Sequence, residues 1–233
     1  KNTALSFEKH KNIKISQGPH LDKLSQANNV DISVHEFQSA ACTAPVIFIK
    51  DQDSGEFRSV LVTGLKMNEN LFFKNNKWQP TYIPHCLGNT PFTLGRVTQS
   101  YNVDDLEVFI DENSSAITSE GTELFNSDGS PSDYIVATKK SLQEHIKFQQ
   151  ITISFLKYLT EKELLVKRTF DLTILGETVS LHGIYIVDHN KLEQLTDDEF
   201  LALRKLGYLP LIYAHHSSLN QFAELVKRRI DSQ

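Results

Sequence analysis

The chain is poor in the residues that staple small domains and in the motifs that seed common cofactor chemistry. Two cysteines, Cys42 and Cys86, among 233 residues are too few for a disulfide framework or a zinc site built from cysteines alone. A reducing compartment, cytoplasmic by default, is the expectation. No apolar run approaches the roughly 20 residues of a membrane span, and the lysine-bearing N-terminal stretch has no apolar segment of the signal-peptide kind. Whether an upstream targeting segment was removed stays open. GxGxxG, the P-loop, GxSxG, HExxH and CxxC are all missing, which excludes the common versions of those chemistries. Positive charge is also in deficit: 24 Lys and Arg against 29 Asp and Glu leave a net charge of -5. That argues against binding to a nucleic-acid backbone.

What is present describes an ordinary globular protein. Hydrophobic residues make up 39% and charged residues 23%, and a chain of this length buries roughly 70% of its unfolded surface without staples. No repeat, low-complexity tract or long linker divides it. The expectation is therefore one domain, 1–233, with a strand-rich lobe at about 30–112 and a second lobe of helix, strands and helices at about 132–231.

Pro45 to Lys50 and Phe57 to Val62 flank the turn-rich Asp51 to Glu56, which predicts a hairpin. A smaller hairpin is expected in Leu71 to Tyr82, turning at Asn75-Asn76, and two more strands at Phe92 to Val97 and Leu106 to Ile110. After a loop, Ile135, Leu142, Ile146, Ile153 and Leu156 keep to one face of a helix ending near Glu161. Gly176-Glu177 signals a further hairpin between Val166 to Leu175 and Val179 to Val187. Thr196 and Glu199 have the spacing of a capping box, opening a helix closed by Gly207. Leu209 to Ala214 reads as a strand, and Ser218 with Gln221 as the cap of a last helix. Hairpins outnumber helical crossovers, so the class is α+β: a largely antiparallel sheet with a long central helix and two C-terminal helices.

Candidate chemistry is sparse. His215-His216, placed at a strand end just before a helix N-terminus, suit neutral imidazoles acting as base, ligand or donor, with Asp111, Asp188 or Glu36 as partner. The competing reading has one of them buried on a backbone carbonyl. Cys86 cannot pair with the adjacent His85 as nucleophile and base, because neighbouring side chains seldom face each other. Cys42 reads as a small buried hydrophobe. His20-Leu21-Asp22, Asp188-His189 and the acidic Asp104, Asp105, Glu107, Asp111 and Glu112 lack the setting of a metal site, so neither metal nor cofactor is expected. Lys227-Arg228-Arg229 reads as a solvated cationic helix end. The aromatic stretch 70–101, with Trp78, Tyr82 and Phe92, is core or the wall of a ligand cleft.

Assembled in order, these residues resemble the SapC family of bacterial proteins from about Lys9 to Leu225. The likeness is carried by Glu36-Phe37 with Pro45-Val46-Ile47-Phe48, Gly64, Asn70-Leu71-Phe72, Trp78, Tyr82, Pro84 and Pro91-Phe92. It continues through Ile110-Asp111-Glu112, Ser114, Gly121, Leu124-Phe125, Asp128-Gly129-Ser130-Pro131, Gly183-Ile184-Tyr185, Asp188, Leu192, Leu195, Phe200, Leu203 and Gly207. Tyr213-Ala214-His215 and Ser218-Leu219 complete it. The chain departs from the pattern at Gly88-Asn89-Thr90, where relatives carry basic residues, and at His216, where they carry Leu. The resemblance implies a link to bacterial surface-layer or envelope processes, in an accessory role. The leading expectation is thus a soluble binding protein without catalytic machinery. It takes a protein or peptide partner, or a small molecule, in a cleft of Trp78, Tyr82, Phe92, Tyr213, His215 and Ser218. The alternatives are an enzyme using His215, His216, Asp111 or Asp188, and a structural surface-layer subunit.

Overall fold

Alternation of Val, Ile and Phe with turn chemistry between them builds the central element, a five-stranded antiparallel sheet in the order 165–174, 177–187, 46–50, 57–62, 29–31. The computed structural model describes residues 2–16, 24–74, 77–96 and 105–232. His20, Asp22, Tyr101, Asp104 and the Asn75-Asn76 turn lie outside them. Within the described residues the class is α+β, as the sequence implies.

The first hairpin forms as expected between Val46–Lys50 and Phe57–Val62. Its turn is organised by one carboxylate: Asp51 Oδ1 accepts from the backbone N–H groups of Asp53 and Ser54 and from the Ser54 hydroxyl. Those donors, led by the Ser54 backbone, hold the Asp51 carboxyl below its ordinary range. In the second hairpin, Leu165–Ile174 against Glu177–Val187, the two turn residues Leu175 and Gly176 both have positive φ (49° and 89°). Such a turn matches the right-handed twist of the strands.

The chain divides into two compact units that interleave in sequence, Lys1–Leu21 with His85–Lys147, and Asp22–Pro84 with Phe148–Gln233. The grouping cuts across the lobes expected at 30–112 and 132–231, because the long helix Asp133–Glu161 begins in one unit and ends in the other. The larger unit holds the five-stranded sheet, with Phe37, Phe48 and Phe155 fully buried and in mutual ring contact. The smaller unit packs Ile15, Phe92, Ile110, Leu124 and Ile135 together. There Phe92–Gly95, Glu107–Asp111 and Asn2–Ala4 form one three-stranded sheet, and a second has Lys14–Ile15 as its middle strand.

The C-terminal region differs from expectation at one element. Leu209–Ser218 is a helix and not a strand. A six-residue apolar run does not separate the two by periodicity. Pro210 sits in the first turn, where its missing N–H costs nothing, and Gly207 with φ of 73° ends the preceding helix Asp197–Lys205. Ser218 consequently closes this helix and caps nothing. The last helix, Phe222–Asp231, follows a 3-10 turn at Leu219–Gln221. The Thr196 box is present in full: Thr196 Oγ1 accepts the Glu199 N–H, and Glu199 Oε2 accepts the Thr196 N–H at 3.2 Å.

Candidate recognition cleft

Three segments of the larger unit meet around an open cleft of about 700 Å³. The first is the short helix Phe37–Ala41, which turns Phe37 and Ala40 into the core. Ser39, with Cys42 and Thr43 just beyond the helix, is left on the cleft wall. The second is the aromatic stretch 72–82, contributing Phe72, Pro80, Thr81 and Tyr82. The third is the C-terminal helix, which buries Phe222 and Leu225 and so presents Gln221, Glu224 and Arg228 to the cleft.

Hydrogen bonds fix the aromatic wall. The Phe72 N–H donates to Asn70 Oδ1 at 3.0 Å, and the Trp78 indole N–H donates to the Tyr82 carbonyl at 2.8 Å. The Tyr82 hydroxyl donates to Glu36 Oε1, also at 2.8 Å. Glu36 is itself nearly buried, and its other oxygen accepts from the Ser33 N–H and hydroxyl at 2.8 and 2.9 Å. A buried carboxylate is tolerable when donors saturate it in this way. Glu36 therefore acts as the anchor that holds Tyr82 at the cleft.

Arg228 supplies the polar edge. Its guanidinium carbon stands 4.7 Å from the centre of the Phe72 ring, a cation–π arrangement. Its Nε lies 3.1 Å from Glu224 Oε1, one helical turn earlier, without reaching hydrogen-bond geometry. A guanidinium resting over an aromatic ring has no acceptor there and keeps its N–H donors for carboxylates and carbonyls. The cleft thus offers an apolar floor, one oriented cation with its counter-ion, and hydroxyls from Ser39, Thr43 and Thr81.

The residues singled out in the sequence are dispersed. Tyr82 lines the cleft, and Trp78 backs it through its contact with Phe72, 5.6 Å between ring centres. Phe92 is buried in the other unit, against Tyr134. Tyr213 is half exposed on the helix Leu209–Ser218. His215 and Ser218 are both fully buried. The Val187 N–H donates to His215 Nε2 at 3.1 Å, so Nδ1 carries the proton and donates to the Val46 carbonyl at 2.7 Å. Both ring nitrogens are spent on backbone, and burial drives the imidazole pKa down to about 3, with His216 adding a smaller push. Since His215 lies in the last turn of a helix, the expected influence of a helix N-terminus does not apply.

The other candidates are engaged as well. His216 donates through Nε2 to the Val187 carbonyl at 3.0 Å. Asp188 caps the helix His189–Glu193, accepting from the Asn190 and Lys191 N–H groups. Asp111 sits on a strand of the other unit and accepts from the Asn113 N–H. Cys42 is exposed at the cleft and not buried as its small-residue context implied. Sequence reading missed Arg228 and Glu224. Their i,i+4 spacing was the available signal, but the aromatic ring beneath Arg228 lies far away in sequence.

A sequence model of one family, SapC, matches residues 5–225 of the 233. The chain belongs to the SapC family. No curated protein and no solved structure matches it. For a SapC chain the match spans most of both units and takes in the His215 clamp and the cleft wall as far as Glu224, while Arg228 lies just beyond it. Among the described residues no helix is long and apolar enough to cross a membrane.

Proposed function

We propose that this SapC-family chain is a non-catalytic accessory protein that binds a peptide segment of a partner in the Phe72–Tyr82–Arg228 cleft. The observation that carries the reading is Arg228, its guanidinium carbon 4.7 Å over the Phe72 ring beside an anchored tyrosine at the wall of an open depression. An extended peptide offers what this surface can use: backbone carbonyls for the guanidinium and hydroxyls, and side chains for the aromatic floor. Arg and Tyr are also the residue types that dominate binding energy at such surfaces. The engagement of His215 and Asp188 in backbone bonds supports a role without proton transfer. The family name supports a partner at the bacterial surface layer or envelope, reached from a soluble protein.

The test is a peptide library displayed against the purified chain, followed by titration calorimetry of the selected sequences. Arg228→Ala should weaken binding by at least ~10-fold, the loss expected of an interface anchor, while Tyr213→Ala changes nothing. Selected peptides that bind Arg228→Ala and wild type equally would overturn the assignment of this cleft. Turnover of a substrate, abolished by substitution of a cleft residue, would overturn the non-catalytic role.

A further inference from the structure

We propose that the larger unit carries a second binding site, lined by other residues than the recognition cleft, for a small amphiphile with a short acyl chain and a carboxylate head. The register of the sheet gathers its parts. Lys50 faces Phe57 across the first hairpin, Phe48 faces Tyr185, and Tyr185 faces Lys167. Directly paired residues, and residues two apart on one strand, share a face of the sheet. Lys50, Phe57, Tyr185 and Lys167 therefore lie on the side of Phe48, which packs on Phe155 of the long helix. Between Phe57 and the last turns of that helix lies a pocket of about 240 Å³, with Ile153 and Leu156 in its wall. A cavity of about 150 Å³ already holds a benzene ring, so a short alkyl chain has room.

A polar half adjoins it. Gly55 borders both this pocket and a depression of about 390 Å³ lined by Lys50, Gln52, Lys167 and Tyr185. The Phe57 ring joins the two: Tyr185 meets it edge-on with 4.9 Å between ring centres, and the Lys50 ammonium stands 5.6 Å from its centre. Among the described residues neither Lys50 nor Lys167 has an ion-pair partner. Asp51 also borders the depression, with Oδ1 committed to its own turn. Two ammoniums and one carboxylate leave a surplus of one positive charge, which a monoanionic head neutralises. The apolar pocket has the opposite rim, Glu56 and Glu161 with Lys157, which leaves one negative charge. A carboxylate is repelled there and drawn to the lysines, so the ligand lies with its chain against Phe57 and Leu156 and its head between Lys50 and Lys167.

The experiment titrates the full, isotope-labelled chain with octanoate and follows its backbone amide resonances. Octanoate should shift the amides of Gly55, Phe57 and Ile153 foremost. Acetate lacks the chain and should bind at least ~100-fold more weakly, because each buried methylene adds to affinity. Octanol lacks the charge and should bind at least ~5-fold more weakly. The double variant Lys50→Gln, Lys167→Gln should lose at least ~5-fold in octanoate affinity and nothing in octanol affinity, a split that misfolding would not produce. Ile153→Glu, at a side chain 59% exposed, should weaken both ligands by at least ~10-fold. Lys205→Gln, on another helix, is the control and should bind octanoate as wild type does. Octanoate that shifts the 72–82 cleft instead, or that binds the double-lysine variant as tightly as wild type, would overturn the proposal.

Discussion

His215 and Val46 are joined by a 2.7 Å hydrogen bond in which a buried imidazole N–H satisfies a strand carbonyl. Its opposite nitrogen takes the Val187 N–H of the neighbouring strand, so one side chain stitches the helix Leu209–Ser218 to two adjacent strands of the sheet. The arrangement needs the neutral ring: a second proton would face the Val187 N–H.

Stability should therefore fall in acid through this residue. The folded imidazole titrates near 3 and the ordinary one at 6.5. Between these values the unfolded chain holds a proton that the folded chain refuses. The stabilisation is complete above about pH 6.5 and is lost as pH falls toward 3, at up to ~1.4 kcal/mol per pH unit. Urea denaturation at pH 7, 6, 5 and 4 measures the slope, and His215→Asn should remove about one proton's worth of it. An identical slope in that variant would show that other groups carry the acid sensitivity.

Tyr82→Phe should cost about 1–3 kcal/mol, because it strips a donor from the nearly buried Glu36. Glu36→Ala should cost more, since it also frees the Ser33 donors, and Glu36→Gln should lie between because its amide still accepts one of them. Thermal melts rank the three. Tyr82→Phe matching wild type would mean that water replaces the hydroxyl and that Glu36 does not anchor the cleft.

Gly64 is a place where no side chain fits. A methyl group there would stand 2.1 Å from the carbonyl oxygen of Glu69 and 2.8 Å from its carbon, both backbone atoms. Glu69 cannot yield freely: its carboxylate accepts the Leu65 N–H and pairs with Arg229 at 2.6 Å. Gly64→Ala should destabilise by roughly 1–3 kcal/mol, the range for forced backbone shifts. A melting temperature unchanged from wild type would show that the 64–69 turn adapts.

What was legible in the sequence was local. Asp51 with Ser54, Gly176 and the Thr196–Glu199 pair each act within a few residues, so turn and cap chemistry revealed the hairpins and the helix start. Leu209 to Ala214 failed because a short apolar run has no period to read, and the decisive residue, Pro210, is allowed both at a helix start and at a strand edge. As part of a helix, His215 lies in a sealed turn and not at a strand exit. The cleft was half legible: the aromatics of 72–82 were singled out, but the opposite wall comes from the C-terminal helix. Arg228 by itself looks like any solvated cation, and only tertiary structure shows Phe72 beneath it. For His85 the sequence shows only the adjacent Cys86, whereas its spatial neighbour His145 comes from the distant helix Asp133–Glu161.

Ser218 and His215 hold the N–H and the carbonyl of one residue, Val46, and should behave as one device. Ser218 Oγ accepts the Val46 N–H at 2.8 Å and donates to the His215 carbonyl at 2.6 Å, while the His215 ring holds the Val46 carbonyl. Ser218→Ala should cost about 1–3 kcal/mol by orphaning a buried N–H. His215→Asn should cost at least as much, since two buried backbone groups lose their partner. Once either residue is gone, the Val46 strand end is free to shift, so the second substitution should cost less than it does alone. A double-mutant cycle by urea denaturation should give a coupling energy of about 0.5 kcal/mol or more. Simple additivity would mean that the strand is held in register by its neighbours Leu61 and Tyr185 regardless of the clamp, and that His215 and Ser218 merely fill donor and acceptor vacancies one at a time.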